Sequence, residues 1–264
     1  MTLDEIVQQV QKADSIVILT HESPDGDAIG SSLAMSLAME NFGKNVDVII
    51  PEYPRIFEFL PGAKNIKKES DVKNYDLAIS LDCATFKRLA QNEYFENAKT
   101  KVVIDHHGSN TMYGDLNFVN PASPACCEIL AELFQYYNIE ITKPIGTCIL
   151  TGIITDTGGF KYASVTAETF EFAAELLQKG INVSDIYKKV LDTKTKANFE
   201  LTKIVLDRTE FLEDGKVTFT YINNDDVKKV NAEARRSWRF SWTWKRCWRC
   251  WSINFYKRRR KKCI

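Results

Sequence analysis

The three histidines of this 264-residue chain all stand beside or close to aspartates. "HESPDGDAIGS" supplies His21, Asp25 and Asp27, and "SLDCAT" supplies Asp82. "VVIDHHGSN" supplies Asp105, His106 and His107, and "GIITDTGGF" supplies Asp156. Carboxylate mixed with imidazole suits manganese, iron, cobalt or zinc, and a set this rich in carboxylate favours manganese or magnesium. Two such ions about 3.5–4 Å apart, bridged by a carboxylate, could hold a hydroxide for in-line attack on phosphorus and neutralise the charge that develops there.

Each residue also has a plainer explanation. His21 could be a satisfied strand-end histidine, Asp27 the N-cap of the next helix, and Asp82 an ordinary turn residue. The adjacent pair His106 and His107 is harder to account for this way. Alternate pointing along an extended chain sends one inward and one outward, behind an aspartate able to orient an imidazole. Asp156 lies in an apolar helical segment, where a lone buried carboxylate is costly and requires a partner. Gly26 and Gly30 flank a helix start, where they would let backbone approach a ligand, and Gly158 and Gly159 break the helix just after Asp156.

Five strands are expected to position these groups: "SIVILTH", "VDVIIP", "YDLAISLD", "KVVIDHH" and "LNFVNP". Helical patterns follow or separate them, in "DAIGSSLAMSLAMENFG", "PACCEILAELFQYYN", "GTCILTGIITDT" and "TAETFEFAAELLQKG". Near-continuous apolar strands alternating with helices predict an α/β fold, a mostly parallel sheet flanked by helices on both faces. Ligands in such sheets gather beyond the carboxyl ends of the strands, which is where His21, Asp82 and the residues 105–107 fall. Residues 1–190 form the first domain. A long helix is expected across residues 183–211, with residues 191–212 as the linker, and "EDGKVTFTYIN" opens a second α/β domain over 213–233.

No apolar run reaches the length of a membrane span, and "MTLDEIVQQVQKAD" lacks the apolar core of a signal peptide, so a cytoplasmic location is expected. Cys83, Cys126, Cys127 and Cys148 sit in or beside apolar segments and are expected to be reduced and buried. Cys247 and Cys250 form a lone C-x-x-C without a second pair, which is weak grounds for zinc.

The ordered set "HESPDGDAIGS", "SLDCAT", "VVIDHHGSN" and "GIITDTGGF" resembles the four motifs of the DHH phosphoesterases, named for a triplet such as Asp105, His106 and His107. Within that family it is most similar to the bacterial oligoribonuclease and phosphoadenosine phosphatase subgroup, the nano-RNases. The resemblance implies two manganese ions, with magnesium or cobalt as substitutes. It implies that His21, Asp25 and Asp82 hold one ion, and Asp27, Asp82, His106 and Asp156 the other, with Asp82 bridging. His107 would face the scissile phosphate or the leaving group, and Asp105 would orient it. Short RNA or nucleotides are the implied partners; no membrane is expected, and a homodimer is left open. A manganese pyrophosphatase or a cyclic-dinucleotide hydrolase of the same superfamily is the alternative enzyme, and a non-catalytic nucleic-acid binder the alternative of another class.

The family also implies a DHH-associated second domain with a glycine- and histidine-rich loop, and this sequence departs from it near residue 233. From Ala234 it reads "ARRSWRFSWTWKRCWRCWSINFYKRRRKKCI", with all five tryptophans, 12 basic residues and no acid. Residues 1–233, by contrast, carry 23 Lys and Arg against all 35 acidic residues. A nucleic-acid arm is one explanation, with Arg and Lys on phosphates and Trp stacked on bases. A frameshift explains more, because the tryptophan codon TGG read one base later encodes glycine, and the shifted text resembles the start of the family's second domain. The expectation is a chain that binds manganese but turns over short RNA weakly or not at all.

Overall fold

Strong β propensity and unbroken apolar character put the first, third and fourth expected strands at the centre of the sheet. The computed structural model describes residues 3–215, 217–230 and 252–256. In the first of two units, Met1–Asp192, a helix α1 (Leu3–Lys12) leads into β1 (Ser15–Leu19) and α2 (Gly26–Glu40). Then come β2 (Asn45–Val48), β3 (Leu77–Leu81), α3 (Asn92–Asn97), β4 (Thr100–Asp105) and β5 (Leu116–Val119). Four helices complete the unit: α4 (Cys126–Tyr136), α5 (Lys143–Asp156), α6 (Ala167–Gln178) and α7 (Val183–Tyr187), the last running into a π turn over Lys188–Asp192.

The five strands pair in the order β2-β1-β3-β4-β5, every pair parallel. All of β3 and most of β1 and β4 are buried, as a sheet covered on both faces requires. The two-residue period divides them: Ile16 and Ile18 join the larger core with α2, α4 and α5, while Val17 and Leu19 join a smaller one with Tyr94 and Phe95 of α3.

α2 packs closely on α5, and glycines allow it. A Cβ on Gly26 would collide with the Thr155 side chain, and one on Gly30 would come within 2.6 Å of the Cys148 carbonyl. These two glycines therefore serve helix contact. The four cysteines of this unit are free and buried. Among the described residues no helix is long and apolar enough to cross a membrane.

The stretch expected as one long helix is broken. After the π turn, α8 (Lys196–Asp207) starts afresh, with the Thr195 hydroxyl accepting from the Asn198 amide. The Thr-Lys-Thr sequence at 193–195 offers the backbone a side-chain cap in place of a continuing helix. The second unit begins at Thr193 and contains α8, β6 (Glu210–Leu212), β7 (Val217–Tyr221), α9 (Asn224–Lys229) and β8 (Ser252–Tyr256). β6 runs antiparallel and β8 parallel to β7. A two-pronged contact from Arg208 to Asp226, at 2.5 and 2.8 Å, ties α8 to α9. Apart from Ser252–Tyr256, the basic tail lies outside the described residues, and so do Cys247 and Cys250 and the frameshift expectation.

Candidate metal centre

Strand order decides the site. β1, β3 and β4 are neighbours, so the residues following their carboxyl ends converge: His21 after β1, Asp82 after β3, and Asp105, His106 and His107 at the end of β4. The start of α2 brings Asp25 and Asp27 to the same place, and the end of α5 brings Asp156. All eight residues singled out from sequence meet there. They form three overlapping groups whose potential ligand atoms lie within 4.8 Å of one another: His21, Asp25 and Asp82; Asp27, His106 and Asp156; and Asp82, Asp105, His106 and His107.

Asp82 links the groups. Its Oδ2 lies 3.8 Å from His21 Nε2, and its Oδ1 lies 3.4 Å from His106 Nε2 and 3.5 Å from His107 Nδ1. His106 Nε2 also faces Asp156 at 3.4 Å and Asp27 at 3.9 Å. These contacts are electrostatic and too long to satisfy a carboxylate; Asp82 is 2% exposed and its buried Oδ1 has no hydrogen-bond partner. Its backbone is left-handed at φ 53°, a strained conformation for a residue with a Cβ.

Second contacts aim the ligand atoms. Asp25 is the N-cap of α2, its Oδ1 accepting from the Asp27 and Ala28 amides at 3.0 and 3.1 Å, so the capping considered for Asp27 falls two residues earlier. Asp27 caps another helix: its Oδ2 accepts from the Cys126 amide at 2.6 Å and its Oδ1 from the Cys127 amide at 2.9 Å. Ala125, the local N-cap of α4, has no side chain to do this. Asp105 Oδ1 meets His107 Nδ1 at 2.8 Å, and Asn110 Nδ2 donates to Asp105 Oδ2 at 2.6 Å. The Ser23 amide donates to His21 Nδ1 at 3.3 Å, which places the proton of the neutral ring on Nε2. Holding a cation through Nε2 would require the other tautomer and the loss of that bond.

Crowded buried carboxylates resist ionisation together. Burial, then the neighbouring Asp27 and Asp25, raises Asp82 well above the usual carboxylate range; burial likewise raises Asp27. Asp156 is pushed up to about 7 by burial, with Asp27 and Asp25 adding to it. Burial opposes a charge on His106, but Asp82, Asp27 and Asp156 outweigh it and push the ring up to about 10. The Asp105 bond raises His107. Burial would raise Asp105, yet the bonds from His107 and Asn110 win and hold it low. Burial lowers His21.

Divalent cations fit this donor set. They would answer the unpartnered Oδ1 of Asp82 and the mutual repulsion of Asp25, Asp27, Asp82 and Asp156, and imidazole with carboxylate is the ligand chemistry they take. Sequence reasoning missed Asn110 and the two amides of α4. Asn110 stands inside "VVIDHHGSN" and was open to notice, whereas the amides lie about 100 residues from Asp27.

A parallel α/β sheet with a carboxylate and imidazole cluster beyond its strand ends defines the class: an α/β protein built around a candidate metal centre. The sequence model of the DHH family, N-terminal domain, matches residues 15–153, and the chain belongs to that family of phosphoesterase hydrolases. It is 34% identical over 227 residues to the bifunctional oligoribonuclease and PAP phosphatase NrnA of Thermus thermophilus, covering 83% of this chain and 67% of that protein. The Bacillus subtilis protein of the same name is 26% identical over 237 residues, covering 87% and 73%. The crystal structure of an exopolyphosphatase-related protein from Bacteroides fragilis superposes with a TM-score of 0.79 at 30% identity, covering 88% of this chain and 72% of that one.

Proposed function

We propose that this chain is a cytoplasmic phosphoesterase that releases mononucleotides from short oligoribonucleotides and converts 3′-phosphoadenosine 5′-phosphate to AMP, using two manganese ions. The observation that carries this is Asp82, which two of the three ligand groups share and whose buried, unpartnered Oδ1 faces His106 of the third. His21, Asp25 and Asp82 would hold one ion, and Asp27, Asp82, His106 and Asp156 the other. Such ions would supply charge neutralisation at the phosphoryl group and a water of lowered pKa. His107 lies at the open side of the cluster with its side chain 39% exposed, and the Asp105 bond favours its protonated form. It would hold a positive charge and a proton toward the phosphate or leaving oxygen, while Asn110 and Asp105 keep the ring from turning. The names of the T. thermophilus and B. subtilis relatives support the substrate class.

In this proposal residues 1–190 are the DHH domain, 191–212 the linker and 213–233 the start of the DHH-associated domain. A frameshift near residue 233 replaces the nucleotide-gripping part of that domain, so turnover is slow. The test pairs manganese titration with hydrolysis of a short RNA and of 3′-phosphoadenosine 5′-phosphate. The wild type should bind about two ions and release AMP slowly, and Asp82→Asn should lose both properties while keeping its fold. Hydrolysis that persists in excess EDTA, or in Asp82→Asn, refutes the metal-centre reading.

A further inference from the structure

The segment after Asp156 has an uncommon backbone. Gly158, Gly159 and Phe160 are consecutive residues in the left-handed region, at φ 60°, 73° and 58°. Glycine accepts this freely, but phenylalanine does not. Thr157 over-determines the turn: its hydroxyl accepts from the Phe160 amide at 2.9 Å, and its carbonyl accepts from the Lys161 and Tyr162 amides at 2.9 and 3.1 Å. The loop is thereby fastened to the residue next to Asp156.

Two aromatic rings meet where that loop approaches α6, and a third aromatic residue, Tyr162, follows two positions on in the loop. Phe160 packs against the main core and stacks on Phe170, with ring centroids 5.3 Å apart and planes inclined by 23°. Phe170 is 56% exposed and Tyr162 38% exposed. α6 does not need Phe170 for its packing, since its buried positions are Thr169, Phe172, Ala173 and Leu176. Tyr162 stands close enough to Asp156 for the carboxylate to oppose ionisation of its phenol, although burial is the larger influence. Lys161 is exposed between the two loop aromatics.

We propose that Phe160 and Phe170 form a stacking platform for a nucleobase of the substrate, and that Lys161, next on the same loop, meets an adjoining phosphate. The proposal rests on the function proposed above and names the surface by which that site would recognise a base. Phe160 is the fixed member, backed by the core; the exposed Phe170 offers the stack a further face. A base carries a flat π-face of whatever identity, so the platform tolerates sequence, and a cation interleaved with aromatics suits a phosphate-linked chain better than an apolar peptide. The strain at Phe160 then has a use, because it holds the ring against Phe170 on a loop that starts at the residue after Asp156.

The test is equilibrium binding, by fluorescence anisotropy without added metal, of a three-nucleotide RNA and of an abasic ribose-phosphate trimer of the same length. The wild type should prefer the RNA. Phe170→Ala should weaken RNA binding about tenfold and leave the abasic trimer unaffected, and Phe170→Trp should restore the RNA affinity. A wild type that binds both trimers equally, or neither, overturns the platform, and so does Phe170→Ala binding RNA as the wild type does. Manganese titration of the wild type is scored separately: base-dependent binding without any manganese uptake would sink the proposed function and leave the platform standing.

Discussion

Glu128 gives the sharpest stability test. It lies in the first turn of α4, is 2% exposed, and its buried Oε2 has no hydrogen-bond partner. Burial is the main influence that pushes its carboxyl up from 4.5 to about 7; Glu132, Glu168 and Asp27 add to it, and a hydrogen bond with Thr169 pulls back. The folded chain therefore holds this proton more tightly than the unfolded chain does. The resulting stability is fully present below about pH 4.5 and is lost as pH rises through about 7, with no further change above. That span corresponds to about 3 kcal/mol as an upper bound. Glu128→Gln removes the ionisation but places an amide nitrogen where no acceptor waits, a penalty that does not depend on pH. The informative quantity is thus the change in the difference between variant and wild type. Urea unfolding in EDTA at about pH 5 and pH 8 should show that difference moving by about 2–3 kcal/mol in favour of the variant at the higher pH. An equal difference at both pH values would refute the reasoning.

Two further outcomes follow from other parts of the chain. Gly152→Ala places a Cβ 2.7 Å from Asp27 Oδ1 and 2.9 Å from Cys127 Cβ. It should cost about 1–3 kcal/mol in denaturant unfolding and weaken manganese binding in a titration; unchanged values of both would show that the helices yield freely. If the tail is out of frame, the gene sequence across codons 228–264 will contain another frame encoding a glycine- and histidine-rich continuation, and its absence would remove the frameshift from consideration.

Local pattern made the sheet legible. Strands such as "SIVILTH" and "YDLAISLD" carry β-branched and aliphatic runs that need no distant information, and the α/β class follows from their alternation with helices. The convergence of His21, Asp82 and the residues 105–107 was legible one step further on, through the rule that parallel sheets gather ligands at their carboxyl ends. What stayed hidden was pairwise and long-range. The helix contact made at Gly26 and Gly30 was hidden because nothing nearby in sequence shows that α5 crosses over them. The break at 193–195 was masked by apolar periodicity on both sides, although a Thr cap was available. Glu128 was not singled out from sequence, because its burial depends on neighbours that sequence does not pair.

The bond between Asp27 and the amides of Cys126 and Cys127 also sets a timetable for synthesis. A ribosome makes α2 about a hundred residues before the helix whose end it must hold, and later still the helix α5 that covers it. Through that interval α2, which in the finished protein is buried over almost its whole length, has only the early strands to lie against. The segment that seats Asp25 and Asp27 thus waits longer for its partners than β1 does, which meets β3 about sixty residues on, and that wait leaves its apolar surface open to wrong contacts.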